Sequence, residues 1–277
     1  MCVALWHTAD SSAVILAQGS AATSVGLVRS VNEDLWYAGE RLFLVADGMG
    51  GHAAGDVASR IAVEFLAKLD REDVQSADVD AAVISANSAI LDHAGRHPEA
   101  AGMGTTVCGL VRGRYNWLVF NVGDSRCYEL ARGTLRQVTV DHSEVQELVD
   151  LGHISREEAR VHPYRNVVTR ALGQVPPPVV DYLTLPVGRG ARYVLASDGL
   201  SSELTDTAIA RLCADPSPAD ELARRLVEAA EDAGGHDNIT VVVVDDLEVA
   251  VEQDDVGGAR GGSTTVPREL IVREVAQ

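Results

Sequence analysis

Three apolar stretches of the chain run into an aspartate in the same way: Leu44-Val45-Ala46-Asp47-Gly48, Asn121-Val122-Gly123-Asp124-Ser125 and Leu195-Ala196-Ser197-Asp198-Gly199. A fourth acid, Asp237, opens an apolar run instead of closing one. A lone Asp-Gly pair signals a turn and nothing more. Four acids at strand ends carry a further implication, because strand ends of a compact sheet pair converge at one edge. Carboxylates gathered there repel one another unless a cation compensates. Oxygen donors without His or Cys suit Mg²⁺ or Mn²⁺ rather than zinc, which draws on imidazole and thiolate. Two such ions roughly 3.5–4 Å apart share a water, lower its pKa and clamp a phosphoryl group during in-line attack. Phosphoryl hydrolysis is the chemistry this pattern predicts.

The segment from Gly26 to Asp34 adds Arg29, Glu33 and Asp34 just before the first strongly apolar run. A guanidinium grips a phosphate dianion through two parallel hydrogen bonds, which an ammonium cannot do; standing alone, the same segment reads as a solvated charged turn. Other phosphatase chemistries fit less well. Cys108 through Arg114 formally satisfies Cys-x₅-Arg, but Cys108 lies inside an apolar run, follows Val107 and has too few glycines behind it to cradle a phosphate. It reads as a core cysteine. Asp78-Val79-Asp80 is the Asp-x-Asp pairing in a plausible place for an aspartyl nucleophile, yet it begins a helical pattern, where acids favour the helix dipole.

The elements that must position these groups are legible from periodicity. Residues 42–46, 105–111, 118–122, 193–196 and 239–244 are short runs rich in β-branched residues and read as strands. Val57, Ile61, Phe65 and Leu69, then Val79, Val83, Ala86 and Ile90, step at helical spacing, so two amphipathic helices follow one another. A third is predicted from Ala219 to about Asp232, with Pro218 before it and Gly234-Gly235 after it. Consecutive helices and clustered late strands disfavour a doubly wound parallel sheet, and the fold class is α+β with antiparallel sheets and helices segregated outside. Beyond Asp246 the composition becomes that of a linker, so the core is predicted to end near residue 247. Residues 266–275 read equally as a terminal strand or a tail.

Composition narrows the function classes. The net charge of −18 and pI of about 4.7, without any Lys/Arg cluster, exclude a nucleic-acid binder. The same charge opposes acidic partners and favours phosphorylated sites in basic surroundings. No apolar run approaches the roughly 18 residues that span a bilayer, so no membrane association is expected. The apolar run 13–17 is too short for an export signal and lacks a preceding basic residue, which points to the cytoplasm. The 4 cysteines are scattered, without thiolate-metal or disulfide spacing. With 46% hydrophobic but only 4% aromatic residues, the core must be built from Ala, Val, Leu and Ile.

Read together, Arg29-x-x-Asn32-Glu33-Asp34, Asp47-Gly48-Met49-Gly50-Gly51-His52, Gly104-Thr105-Thr106, Val122-Gly123-Asp124-Ser125-Arg126, Ala196-Ser197-Asp198-Gly199-Leu200 and Asp237-Asn238-Ile239-Thr240 resemble, in order, the motifs of the metal-dependent protein phosphatase 2C family, in its bacterial form. The likeness spans about residues 24–246. It implies a central sandwich of two antiparallel β-sheets flanked by α-helices, with a binuclear Mn²⁺ or Mg²⁺ centre in a cleft at one edge. It also divides the chain into an extension (1–20), a phosphatase domain (21–247) and a Gly-rich linker with a tail (248–277).

By position, Asp47 resembles the carboxylate bridging both ions, Gly48 the backbone-carbonyl ligand of one, and Asp198 and Asp237 ligands of the other. Glu33 resembles the acid that holds metal-bound water, and Arg29 the phosphate-binding arginine. Asp34 is expected to orient Arg29 or the water network around it. Asp124 resembles a ligand of a third, weaker ion, with Asn166 where some bacterial members have a serine contact; an Asn carbonyl can face a hard cation. Residues 141–173 resemble the flap beside the active site, and His142, His153 and His162 within it read as flap or surface residues. Many eukaryotic members carry a histidine where Met49 stands. A thioether cannot protonate a leaving alkoxide, so the general acid is unassigned; His52, beside a helix start, reads more naturally as a surface or capping residue. The implied activity is hydrolysis of phosphoserine and phosphothreonine on proteins by a monomer, opposing a bacterial Ser/Thr kinase. A catalytically dead relative would lack a ligand, whereas Asp47, Asp198, Asp237, Glu33 and Arg29 are all present. A phosphatase of small molecules is the remaining alternative, separable by comparing phosphopeptides with free phosphomonoesters.

Overall fold

The computed structural model describes residues 17–247 apart from 51–53 and 189. In chain order the first half comprises β1 (Ala17–Ser24), β2 (Leu35–Ala38), β3 (Leu42–Ala46), β4 (Gly48–Met49), α1 (Gly55–Leu66), α2 (Ser76–Arg96), β5 (Gly104–Thr105), β6 (Val107–Arg112) and β7 (Asn116–Val122). The second half comprises β8 (Arg126–Ala131), β9 (Thr134–Gln137), α3 (Glu144–Asp150), α4 (Arg156–Val161), β10 (Asp181–Pro186), β11 (Arg192–Ala196), α5 (Asp198–Glu203), α6 (Asp206–Cys213), α7 (Ala219–Ala233) and β12 (Ile239–Asp246).

One 5-stranded sheet has the order β1-β12-β11-β8-β9, the other β10-β7-β6-β3-β2, and β4 and β5 form a separate ribbon. Every pairing is antiparallel.

The central strands read as unbroken apolar runs because both their faces are covered. In β3, Leu42, Leu44 and Ala46 pack in a cluster with α1 and α2, while Phe43 and Val45 point into the core between the sheets. In β12, Val241 and Val243 face α5, α6 and α7, and Val242 and Val244 face the opposite sheet. The period-2 alternation of side chains across each strand thus builds a four-layer α-β-β-α sandwich, in agreement with the α+β class and with the architecture the family resemblance implied.

Two boundaries differ from expectation. The run 105–111 is two strands, not one, because Thr106 leaves the ladder: its N–H donates to the Asp47 carbonyl at 2.9 Å and its Oγ1 accepts the Asp47 N–H at 3.1 Å. The first strand starts at Ala17, whose partner is Asp246, so residues 17–20 of the expected extension are paired sheet residues. The predicted tail 248–277, with its possible strand 266–275, lies outside the described residues, as does His52. Among the described residues no helix is long and apolar enough to cross a membrane.

Candidate active site

The end of β3 delivers Asp47 to the sandwich edge, and the Thr106 kink ties that end to the β5–β6 junction. Thr106 Oγ1 also meets Ser125 Oγ at 2.8 Å, which couples the Asp47 strand end to the turn carrying Asp124. The next residue must be glycine: a Cβ on Gly48 would lie 2.2 Å from the Gly55 carbonyl oxygen and 2.5 Å from that of Glu33. Glu33 sits against the start of α1, its Oε1 accepting the Gly55 N–H at 3.0 Å, where the helix dipole favours an anion.

Asp198 is the first residue of α5, directly after the apolar β11. Ser197, between them, is 1% exposed. Its Oγ accepts the Thr240 N–H at 2.9 Å and donates to Asp34 Oδ2 at 2.8 Å. Asp34 is itself buried, and its Oδ1 has no hydrogen-bond partner. Asp237 stands just before β12, its Oδ2 accepting Arg29 Nη2 at 2.7 Å. Of the two roles expected for Asp34, orienting Arg29 or the water network around it, the first falls to Asp237, which accepts the guanidinium, while the side-chain partner of Asp34 is Ser197. Arg29 is half exposed, with 53% of its side chain open to solvent, whereas Asp34 is buried.

Five acids lie within electrostatic reach of one another. Burial, then the charges of Asp34, Asp198, Asp124 and Asp237, hold the Asp47 carboxyl well above its ordinary range. Burial pushes Asp34 up to about 7 against the hydrogen bonds from Ser197 and Thr240. Asp198 is pushed up to about 6 by burial and by Asp237, moderated by a hydrogen bond with Asp47. Asp124 is raised strongly, by burial first and then by Asp198 and Asp141. Burial raises Glu33 as well, opposed by the Gly55 N–H. Among the described residues no group of three or more His, Cys, Asp or Glu is arranged to hold a metal ion as it stands; Asp47 and Asp198 are linked to each other by a hydrogen bond. The donor set nevertheless fits hard divalent cations: clustered carboxylates, the unpartnered Asp34 Oδ1, and a backbone at Gly48 that no side chain can cover.

Arg29, Glu33, Asp34, Asp47, Gly48, Asp198 and Asp237 are thus brought to one edge, with Asp124 beside them. Asn166 is exposed and shares a cavity of about 430 Å³ with Asp124 and Asp198, walled by α3, α4, α5 and α6. His142 departs from the surface reading. Its side chain is 4% exposed, Nδ1 accepts the Gly123 N–H at 3.0 Å and Nε2 meets Asp181 Oδ2 at 3.1 Å. Cys108 is fully buried, and burial lifts its thiol far above the usual range, so no nucleophile stands there. Sequence reasoning assigned no role to Thr106, Ser197 or Asn238. Ser197 and Asn238 each stand beside an apolar strand and next to a candidate acid in sequence, and that adjacency is the signal that marks them; Thr106 has no acid beside it and meets Asp47 only in the fold.

A two-sheet sandwich with helices outside and an acid-lined edge defines a class, and the chain belongs to the protein phosphatase 2C family: the family profile, described as Protein phosphatase 2C, matches residues 28–241. Serine/threonine protein phosphatase PstP of Mycobacterium tuberculosis is 45% identical over 244 residues, 86% of this chain and 47% of that protein. The chain therefore spans about half the length of that relative. Serine/threonine phosphatase stp of Listeria welshimeri is 36% identical over 80% of this chain and 93% of its own length. The crystal structure of the PstP catalytic domain in complex with 2 manganese ions superposes with a TM-score of 0.76 at 42% identity, over 83% of this chain and 97% of that one.

Proposed function

We propose that the protein is a metal-dependent phosphatase of phosphoserine and phosphothreonine on proteins, with two Mn²⁺ or Mg²⁺ ions held by Asp47, the Gly48 carbonyl, Asp198 and Asp237, and a weaker third at Asp124. The observation that carries this reading is the convergence of Asp34, Asp47, Asp124, Asp198 and Asp237 on one another beneath Arg29. Divalent ions bound there supply the charge that lowers the pKa of water and neutralises a phosphoryl group. Arg29 sits at the rim, 53% exposed on its side chain, and exchanges Asp237 for the non-reacting phosphate oxygens. Glu33, whose carboxyl is raised by burial, accepts a proton at Oε2 while Oε1 stays on the Gly55 N–H. Asp34 acts from below through Ser197, holding the α5 start against β12.

The cavity beside Asp124 and Asp198 gives a peptide a place to lie, with Asn166 on its wall. This supports a phosphoprotein substrate; the Ser/Thr kinase whose product such an enzyme removes is the opposing partner the reading implies. A monomer suffices, since one chain supplies every site residue. The test is hydrolysis of phosphopeptides and of a free phosphomonoester with and without Mn²⁺ after chelation. Asp198→Asn is expected to stay folded and to lose activity by a factor of about 100 or more. Turnover near wild type at saturating Mn²⁺ overturns the assignment.

A further inference from the structure

Asn238 follows Asp237 and is 6% exposed. Its carboxamide is fully used. Nδ2 donates to the Val25 carbonyl at 3.0 Å and to the Val31 carbonyl at 2.9 Å, while Oδ1 accepts the Glu33 N–H at 2.9 Å. The two carbonyls are the two ends of the loop 25–31, and Arg29 lies within it. That loop has little apolar packing of its own, since Leu27 and Val28 are 68% and 65% exposed. It is pressed instead onto the 235–238 segment: Leu27 N–H donates to the Gly235 carbonyl at 2.7 Å, and a Cβ on Gly26 would lie 2.2 Å from the Asp237 carbonyl oxygen. The Asn238 backbone also meets α5, because a Cβ on Gly199 would lie 2.0 Å from its carbonyl oxygen.

We propose that Asn238 is a positioning residue that closes the 25–31 loop and sets Arg29 and Glu33 in register with Asp237, so that the guanidinium is held ready for phosphate. The assignment deepens the phosphatase reading and rests on it for the role of Arg29. It follows from donor count: one buried amide satisfies two carbonyls and one N–H that each lie more than 200 residues away from it in sequence, and no smaller side chain reaches all three. An aspartate keeps the acceptor for Glu33 N–H but sets an oxygen against both carbonyls.

The test is a double-mutant cycle on the full chain, loaded with Mn²⁺, using Asn238→Ala, Arg29→Ala and both together. Inhibition by inorganic phosphate and phosphopeptide KM are read alongside hydrogen exchange of the backbone amides. Asn238→Ala is expected to raise KM and the phosphate inhibition constant about tenfold, with a smaller fall in kcat, the scale of one or two lost hydrogen bonds. Exchange at residues 25–31 should accelerate while β3 and β12 stay protected, and in the Arg29→Ala background the effect on KM and on phosphate inhibition should vanish, leaving only the smaller fall in kcat that belongs to Glu33. Additive losses in the double variant overturn the coupling to Arg29. Unchanged exchange at 25–31 overturns the anchor, whether or not the wild type hydrolyses phosphopeptide, so this result is separable from failure of the phosphatase reading. If the alanine variant does not fold, Asn238→Asp carries the same cycle.

Discussion

Asp34 and Asp198 hold carboxyl groups at about 7 and about 6, above the ordinary value of 3.8. A raised folded-state pKa means that the folded chain binds more protons than the unfolded one between those values, so this contribution to stability is full below about 3.8 and is lost as pH rises through about 6 and about 7. The neutral His142 works in the opposite sense, since burial lowers its pKa below 6.5 and its contribution is lost on acidification. A comparison with Asp34→Asn cancels the histidine. In chelator, Asp34→Asn is expected to melt higher than wild type near pH 8, with the gap closing towards about pH 5; a gap that does not change with pH would place Asp34 outside the cluster. Asp124 is tested by leaving group. A water on the weaker third ion that Asp124 would hold could donate the proton that the Met49 thioether cannot. Asp124→Ala should therefore depress turnover of phosphopeptides more than of an aryl phosphate, whose leaving group needs little protonation, and equal losses on both substrates contradict that role.

Among the elements, the segment 141–173 is anchored by His142. The acceptor role of Nδ1 toward Gly123 puts the ring proton on Nε2, facing Asp181, while the His142 N–H donates to the Gly123 carbonyl at 2.9 Å and its carbonyl accepts the Thr169 N–H at 2.8 Å. One residue therefore joins the turn that carries Asp124, the end of the α3–α4 segment and the start of β10. His142→Ala is expected to cost about 1–3 kcal/mol in denaturant unfolding, the range for a buried hydrogen-bonding group removed from its partners. Asn at the same position should recover part of it. A loss within about 0.5 kcal/mol, the range of ordinary surface substitutions, would return His142 to the surface reading. The helices of this segment are otherwise locally determined, with Ser143 capping α3 and a Ser155–Glu158 capping box opening α4.

For the whole molecule the dominant field is the net charge of −18. On the proposed phosphatase reading, a phosphoprotein approaches an acidic body, and long-range attraction favours basic residues around the phosphorylated site. The preference in kcat/KM for a basic-flanked over an acidic-flanked phosphopeptide should shrink when salt is raised from about 50 mM to about 500 mM, as screening shortens the Debye length. A preference indifferent to salt would assign the discrimination to direct contacts with acids lining the cavity, among them Glu157 and Asp206.

The α+β class and the acids are legible in the residues alone, while the paired-sheet sandwich came with the family resemblance. β3, β11 and β12 are buried on both faces, so their runs are continuously apolar, and the residues ending or opening those runs stand out by contrast: Asp47, Asp198 and Asp237. Helix ends were equally legible, because Pro218 and Gly234 act within a residue or two of α7. Pairings between distant segments were decided only by the tertiary structure. Arg29 meets Asp237 across a separation of 208 residues, Asp34 meets Ser197 across 163, and Thr106 leaves a run that by composition is all strand in order to hold Asp47. Local propensity and hydrophobic period report which face of an element is buried. They carry no information on the register that brings β12 between β1 and β11, and it is that register which sets Asp34 on Ser197, Arg29 on Asp237 and Asn238 across both ends of its loop.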